Sequence, residues 1–381
     1  MIDRRNLLAA GAASLATAFA PKLAWAAAPG TKRFVFIIQR GAADGLHIVP
    51  PLGDPGYAAL RGPFLGALQG ATKLDDTFSL HPALTRTAAM FAAKQALAVH
   101  AVASAYRDRS HFDGQDILET GARQAYAERR GWMNRLVALL PAGESKALAY
   151  APDVPTALRG PAPVTSYAPS RLPSASADLE QRVAGLYAED AQLSALWQSA
   201  ISTRAMAGAT EGAQAGQNAA ETGRVAASLL APVDGARLMM IETTGWDTHS
   251  GQPGRLNAQL GNLDKLIGAL ADGLGPAWND TMVLVATEFG RTAAVNGTQG
   301  TDHGTASAAL LLGGALAGSG RVFADWPGLA QSALYEGRDL RPTVALEGVV
   351  AGALARHYGL DSTRVASAIY PDQPALKVHK V

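Results

Sequence analysis

The chain has 381 residues, no cysteine, 48% apolar content and a formal net charge of +1. The missing thiols exclude disulfides, thiolate metal sites and a cysteine nucleophile. The near-neutral balance leaves no electrostatic footprint for nucleic acid or an anionic membrane surface.

The first predicted element is a leader over residues 1–26. Asp3-Arg4-Arg5-Asn6 stands directly before an uncharged, Leu- and Ala-rich run over 7–20. Pro21 and Lys22 close that run, and Ala24-Trp25-Ala26 fits an A-x-A cleavage pattern. This is the signature of a twin-arginine signal peptide. The apolar run has 14 residues, too short for a membrane anchor that needs roughly 20. The expectation is a chain made in a bacterial cytoplasm, exported already folded by the twin-arginine translocase, and released to the periplasm or secreted. Removal of Arg4, Arg5, Lys22 and Asp3 leaves the remainder close to neutral. No second long apolar segment follows, so no membrane span is expected after cleavage. Residues 27–381 are long enough for one large α/β domain or two smaller ones, and are read as one.

A buried strand is predicted at 33–39 (RFVFIIQ), a short run of apolar, aromatic and β-branched residues. Further strands are predicted at 97–103, 237–242, 281–286 and 308–312. Helical patterns fall between them at 82–93, 112–140, 178–202, 255–274 and 344–357. Strand alternating with helix implies an α/β fold with a mostly parallel, doubly wound sheet. Residues 141–176, rich in Pro, Ser and Ala, read as a surface insertion. Residues 203–226, rich in Ala and Gly, read as a helix–loop–helix or a flexible connection.

Polar residues gather at the predicted strand ends: Asp44, Ser110, His111, Asp113, Asp247, His249, Glu288, Asp302 and His303. On a parallel sheet those loops share one edge, where ligands bind. Carboxylate with imidazole suits Zn²⁺, Mn²⁺ or Fe; carboxylates alone suit Mg²⁺ or Ca²⁺. Each residue also has a plain structural reading. Asp44 fits a turn cap beside Gly45, and Ser110 a helix N-cap with Asp113 in the capping-box position. Glu288 fits an ion pair with Arg291, and His303 a core histidine.

The blocks QRGAADGLHIVP (39–50), LHPALTRTAAMF (80–91), LAVHAVASAYRDRSHFDGQDILETG (97–121), GWMNRL (131–136), GWDTHSGQ (245–252), ATEFGRTAAVNGTQGTDHGTASAALLLGG (286–314) and RVFADWPGL (321–329) together resemble the exported domain-of-unknown-function family 1501. That family is grouped with the alkaline phosphatase and sulfatase-like superfamily. The resemblance implies a three-layer α/β/α sandwich with a divalent metal (Zn, Mn, Mg or Ca) at the strand ends. It also implies, as a neighbour, an exported protein of domain-of-unknown-function family 1800. On it, Asp44 looks like the first-strand metal ligand, Ser110 the nucleophile, Asp247 and His249 a ligand pair, and His303 a late ligand. The chain lacks the cysteine that sulfatases oxidise to formylglycine. After the strand at 281–286 the superfamily carries an adjacent Asp-His pair, whereas here stands Glu288-Phe289. The second of two metal positions is then weakened, rebuilt on Glu288 and Asp302, or lost.

The leading expectation is a metal-dependent hydrolase of small-molecule or polymer phosphate or sulfate esters. Asp44, Asp247, His249, Glu288, Asp302 and His303 are its candidate ligands, Ser110 attacks, and Arg109 or Arg291 neutralises the transferred group. A non-catalytic binding or assembly protein on the same fold is the alternative. A serine hydrolase built on Ser110 and a histidine lacks the G-x-S-x-G elbow.

Overall fold

The computed structural model describes residues 31–169, 176–207 and 218–381. The leader at 1–26 lies outside the described residues. The chain enters through β1 (Arg33–Gln39), then α1 (Gly45–Ile48), α2 (Tyr57–Arg61), the short hairpin β2 (Thr72–Lys73) and β3 (Ser79–Leu80), α3 (Thr85–Ala92) and β4 (Ala96–Ala103). There follow α4 (His111–Thr120), α5 (Trp132–Leu139), β5 (Ala147–Tyr150), β6 (Val164–Tyr167), α6 (Ala177–Tyr187), α7 (Ala191–Ala207) and α8 (Ala219–Leu230). The rest comprises β7 (Leu238–Thr243), α9 (Gln252–Leu274), β8 (Thr281–Ala286), β9 (Ser307–Leu312), β10 (Arg321–Phe323), β11 (Val344–Ala345), α10 (Leu346–Tyr358) and α11 (Ser362–Ile369).

One nine-stranded sheet runs in the order β10-β4-β9-β8-β1-β7-β5-β6, with β11 also paired to β4. β1 is central and wholly buried, flanked in parallel by β7 and β8. Its side chains alternate across the sheet, as the pleat requires. Phe34, Phe36 and Ile38 face a core shared with α5, α10 and α11. Val35 and Ile37 face a second core shared with α3, α8 and α9. A strand buried on both faces reads as a continuous apolar run, and β1, β4, β8 and β9 all do.

Several expectations are corrected. The predicted insertion at 141–176 contains β5 and β6, which extend the sheet in parallel beyond β7. The single helix expected over 112–140 is two. α4 stops at Gly121, whose φ of 70° is a left-handed C-cap, and α5 starts beyond Gly131. A Cβ at Gly131 would stand 1.9 Å from the Ala157 carbonyl oxygen, so the chain passes too close there for any other residue. The pattern at 178–202 breaks between α6 and α7, and the part of 203–226 over 208–217 lies outside the described residues. β9 runs antiparallel to both β4 and β8. Among the described residues, no helix is long and apolar enough to cross a membrane.

Four histidines are packed inside this frame. Burial pushes His47 down to about 3 and His81, His100 and His357 down to about 4. Their folded pKa values lie below the ordinary 6.5, so their stabilisation is complete above pH 6.5 and is lost as pH falls toward 4. Glu119 and Glu347, raised by burial, act in the opposite sense, but four imidazoles outweigh two carboxyls. The urea midpoint is therefore expected to be lower at pH 4.5 than at pH 7.5; equal midpoints would contradict the buried neutral histidines.

Candidate metal centre

Five loops meet at one edge of the sheet: those following β1, β4, β7 and β8, and the segment leading into β9. The first four leave C-terminal strand ends. The fifth reaches the same edge only because β9 is reversed, so that its beginning lies beside the end of β8. An isolated antiparallel bridge between Arg291 and His303 continues the pairing into the loop. The β1 and β7 loops touch so closely that a Cβ at Gly41 would stand 2.6 Å from the Asp247 amide nitrogen.

Three side chains converge there. His111 is the first residue of α4, Asp247 lies in the β7 loop, and His303 precedes β9. One ligand atom from each lies within 4.8 Å of the other two. Asp247 Oδ2 is 3.4 Å from His111 Nε2, and Oδ1 is 3.3 Å from His303 Nε2. Imidazole and carboxylate this close together are the ligand types that a zinc-like ion takes, at bonds of about 2.0–2.2 Å.

The hydrogen bonds on the far side of each ring fix which nitrogen faces inward. His303 Nδ1 lies 2.9 Å from the Arg109 carbonyl oxygen, which only accepts, so Nδ1 carries the proton. His111 Nδ1 lies 2.9 Å from Glu288 Oε1, an ionised carboxylate that likewise accepts. Both rings therefore turn Nε2 toward Asp247. Outer acceptors of this kind orient metal-ligating histidines. Burial and the neighbouring His111 lower the His303 pKa, and the Glu288 hydrogen bond raises that of His111. Burial alone would raise the Asp247 carboxyl, but the Arg291 hydrogen bond and charge hold it below its ordinary value. That bond, Arg291 Nη1 to Asp247 Oδ1, is 2.7 Å long.

His249 adjoins the group. Its Nδ1 faces Asp302 Oδ1 at 3.1 Å, and its Nε2 lies 3.0 Å from both His303 Nε2 and Asp247 Oδ1.

The remaining sequence candidates take other roles. Asp44 is not in the group: it N-caps α1, accepts from the Leu46 amide, and forms a bidentate ion pair with Arg61. Both partners are fully buried. Glu288 orients His111 instead of facing an ion; its Oε1 also accepts from the Gly41 amide at 2.8 Å and from Gln115 at 3.1 Å. Asp302 orients His249 and accepts from Asn296. The Arg109 guanidinium pairs with Glu336 and Asp339, and only its carbonyl serves the centre. Arg291 is buried against Asp247 and Thr301. Ser110 stands before α4, makes no side-chain capping bond to the helix, and donates its backbone N–H to the Tyr106 hydroxyl at 2.9 Å. Phe289, where the resemblance expects a histidine, stacks on His111 with ring centroids 5.2 Å apart. The member of this group that sequence reasoning left unassigned is His111. Its signal was its place directly after Ser110 at a helix start.

The molecule is thus an α/β protein with a mixed, mostly parallel sheet and a histidine–aspartate–histidine group at the sheet edge that fits a metal ion. Residues 31–369 match the family described as protein of unknown function (DUF1501), and the chain belongs to that family. Comparison with curated proteins gives no match.

Asp44→Asn leaves the buried Arg61 charge unpaired and is expected to destabilise the fold by about 3–5 kcal/mol. The loss should be the same with and without EDTA in denaturant unfolding. A loss that appears only when metal is present would return Asp44 to the ligands.

Proposed function

We propose that the protein is an exported, metal-dependent hydrolase of phosphate or sulfate esters. The convergence of His111, Asp247 and His303, with both imidazoles turned by outer acceptors, carries this reading. A divalent ion bound there supplies positive charge that polarises an ester oxygen. The chain's own residues do the rest. Glu288 and the Arg109 carbonyl hold the two imidazoles, and Arg291 holds the carboxylate. Ser110 is the candidate nucleophile, one residue before His111. Its hydroxyl does not cap α4, and the helix N-terminus favours both a developing alkoxide and an anionic group on the substrate. Asp247 is 43% exposed, which leaves the centre an approach from solvent. Phe289 offers no ligand on its side, which supports one metal ion and not a pair.

Hydrolysis of p-nitrophenyl phosphate and p-nitrophenyl sulfate after metal loading tests this. His303→Ala is expected to lose both bound metal and activity. Ser110→Ala should keep the metal and lose activity by at least about a hundredfold. Full activity in Ser110→Ala would remove the nucleophile assignment, and no stoichiometric metal in the wild type would remove the hydrolase.

A binding or assembly role on the same fold is the second reading. It is favoured by Leu179, Leu186, Leu193 and Leu196, all exposed on α6 and α7. For export, replacing Arg4 and Arg5 by lysine is expected to leave uncleaved precursor in the cytoplasm. Unchanged export would remove the twin-arginine route.

A further inference from the structure

Behind the centre lies a chain of buried polar groups that meets the proposed chemistry only at Arg291. Gln252, Thr248, Thr301, Arg291, Asp44 and Arg61 are all buried, yet their side chains are joined end to end. Arg291 Nε donates to Thr301 Oγ1 at 3.2 Å. Thr301 Oγ1 donates to Gln252 Oε1 at 2.6 Å, and Thr248 Oγ1 donates to the same oxygen at 2.9 Å. Gln252 Nε2 donates to Asp44 Oδ2, and Asp44 is held by Arg61. Arg61 closes the circuit by donating to the main-chain carbonyls of Thr292 at 2.7 Å and Ala293 at 2.6 Å, the residues that follow Arg291.

The direction of every bond is set by chemistry. Asp44 only accepts, so the amide NH₂ of Gln252 must face it and the amide oxygen must face the threonines. Arg291 only donates, so Thr301 must pass its own proton on to Gln252. The amide therefore has one orientation, and Thr301 holds Arg291 twice, by its hydroxyl at Nε and by its main-chain carbonyl at Nη2. Arg291 Nη1 is then aimed at Asp247 Oδ1.

We infer that Gln252 and Thr301 are positioning residues that fix the ligand Asp247 through Arg291, with the Asp44–Arg61 pair as the anchor. This rests on the reading of His111, Asp247 and His303 as a metal centre. Gln252, the first residue of α9, thereby sets metal affinity without touching the metal. Outer-shell partners of this kind change metal affinity by about 10–100-fold when removed.

The test is the Zn²⁺ dissociation constant of apoprotein, measured by competition with a chromophoric chelator, alongside the thermal midpoint of each apo variant. Thr301→Val leaves Arg291 Nε without its acceptor and should weaken Zn²⁺ by about 10–100-fold. Thr301→Ser keeps the hydroxyl and should bind as the wild type does. Thr248→Val removes an equivalent bond to Gln252 but does not touch Arg291, so it should change affinity less than about threefold. Should Thr301→Val fail to fold, Arg291→Lys, which keeps the charge but cannot span both partners, should show the same loss. Equal effects of Thr301→Val and Thr248→Val would make the network merely structural, and wild-type affinity in Thr301→Val or Arg291→Lys would overturn the inference. A wild type that binds no Zn²⁺ removes the metal centre and the inference together, whereas a wild type that binds with unaffected variants removes the inference alone.

Discussion

The Arg291–Asp247 ion pair is the interaction on which the centre depends. The Arg291 hydrogen bond and charge hold the Asp247 carboxyl below its ordinary value, beside two rings whose Nδ1 atoms are engaged by outer acceptors. The result is one carboxylate with two imidazole Nε2 atoms facing it, a donor set that suits a borderline transition ion. Without Arg291, Asp247 would be free to turn to solvent, since it is 43% exposed. With it, one carboxylate oxygen is fixed by a residue that is itself fully buried.

The fold supplies the second constraint through the direction of one strand. Were β9 parallel to its neighbours, the segment before it would lie at the opposite edge, and His303 would be a strand's length away from His111. Because β9 runs the other way, the β8–β9 connection is a long hairpin, and both of its arms stay at the functional edge. Gly290 and Gly304 let those arms approach: a Cβ at Gly290 would stand 1.8 Å from the Ala306 oxygen, and one at Gly304 would stand 2.3 Å from the Arg291 carbonyl carbon. Phe289, pressed on His111, makes the floor between the arms apolar.

Much of this was legible in the sequence. β1 and β8 announce themselves as short apolar runs, and the strand-end loops hold nearly every residue of the centre. What was hidden depends on long-range pairing. β5 and β6 are four residues each and carry no pattern of their own; β7 makes β5 a strand, and β5 then pairs with β6. The direction of β9 cannot be read from an apolar run that is buried on both faces. Asp44 has the sequence signature of a strand-end ligand, and only Arg61 beside it assigns it to a buried ion pair. His111 gains its role from Glu288, 177 positions away.

The residues expected as ligands all lie at one edge of the sheet, but among the described residues His111, Asp247 and His303 alone converge as a group. Three of the expected acidic ligands, Asp44, Glu288 and Asp302, stand outside the described group as anchors or orienting acceptors. The central claim is that one metal ion sits between His111, Asp247 and His303. Its most direct test is an anomalous difference map at the zinc edge from zinc-soaked crystals. The account predicts one strong peak about 2.0–2.2 Å from His111 Nε2, His303 Nε2 and an Asp247 carboxylate oxygen. No peak between these three atoms, or a peak on Asp44 or Glu288 instead, would contradict it.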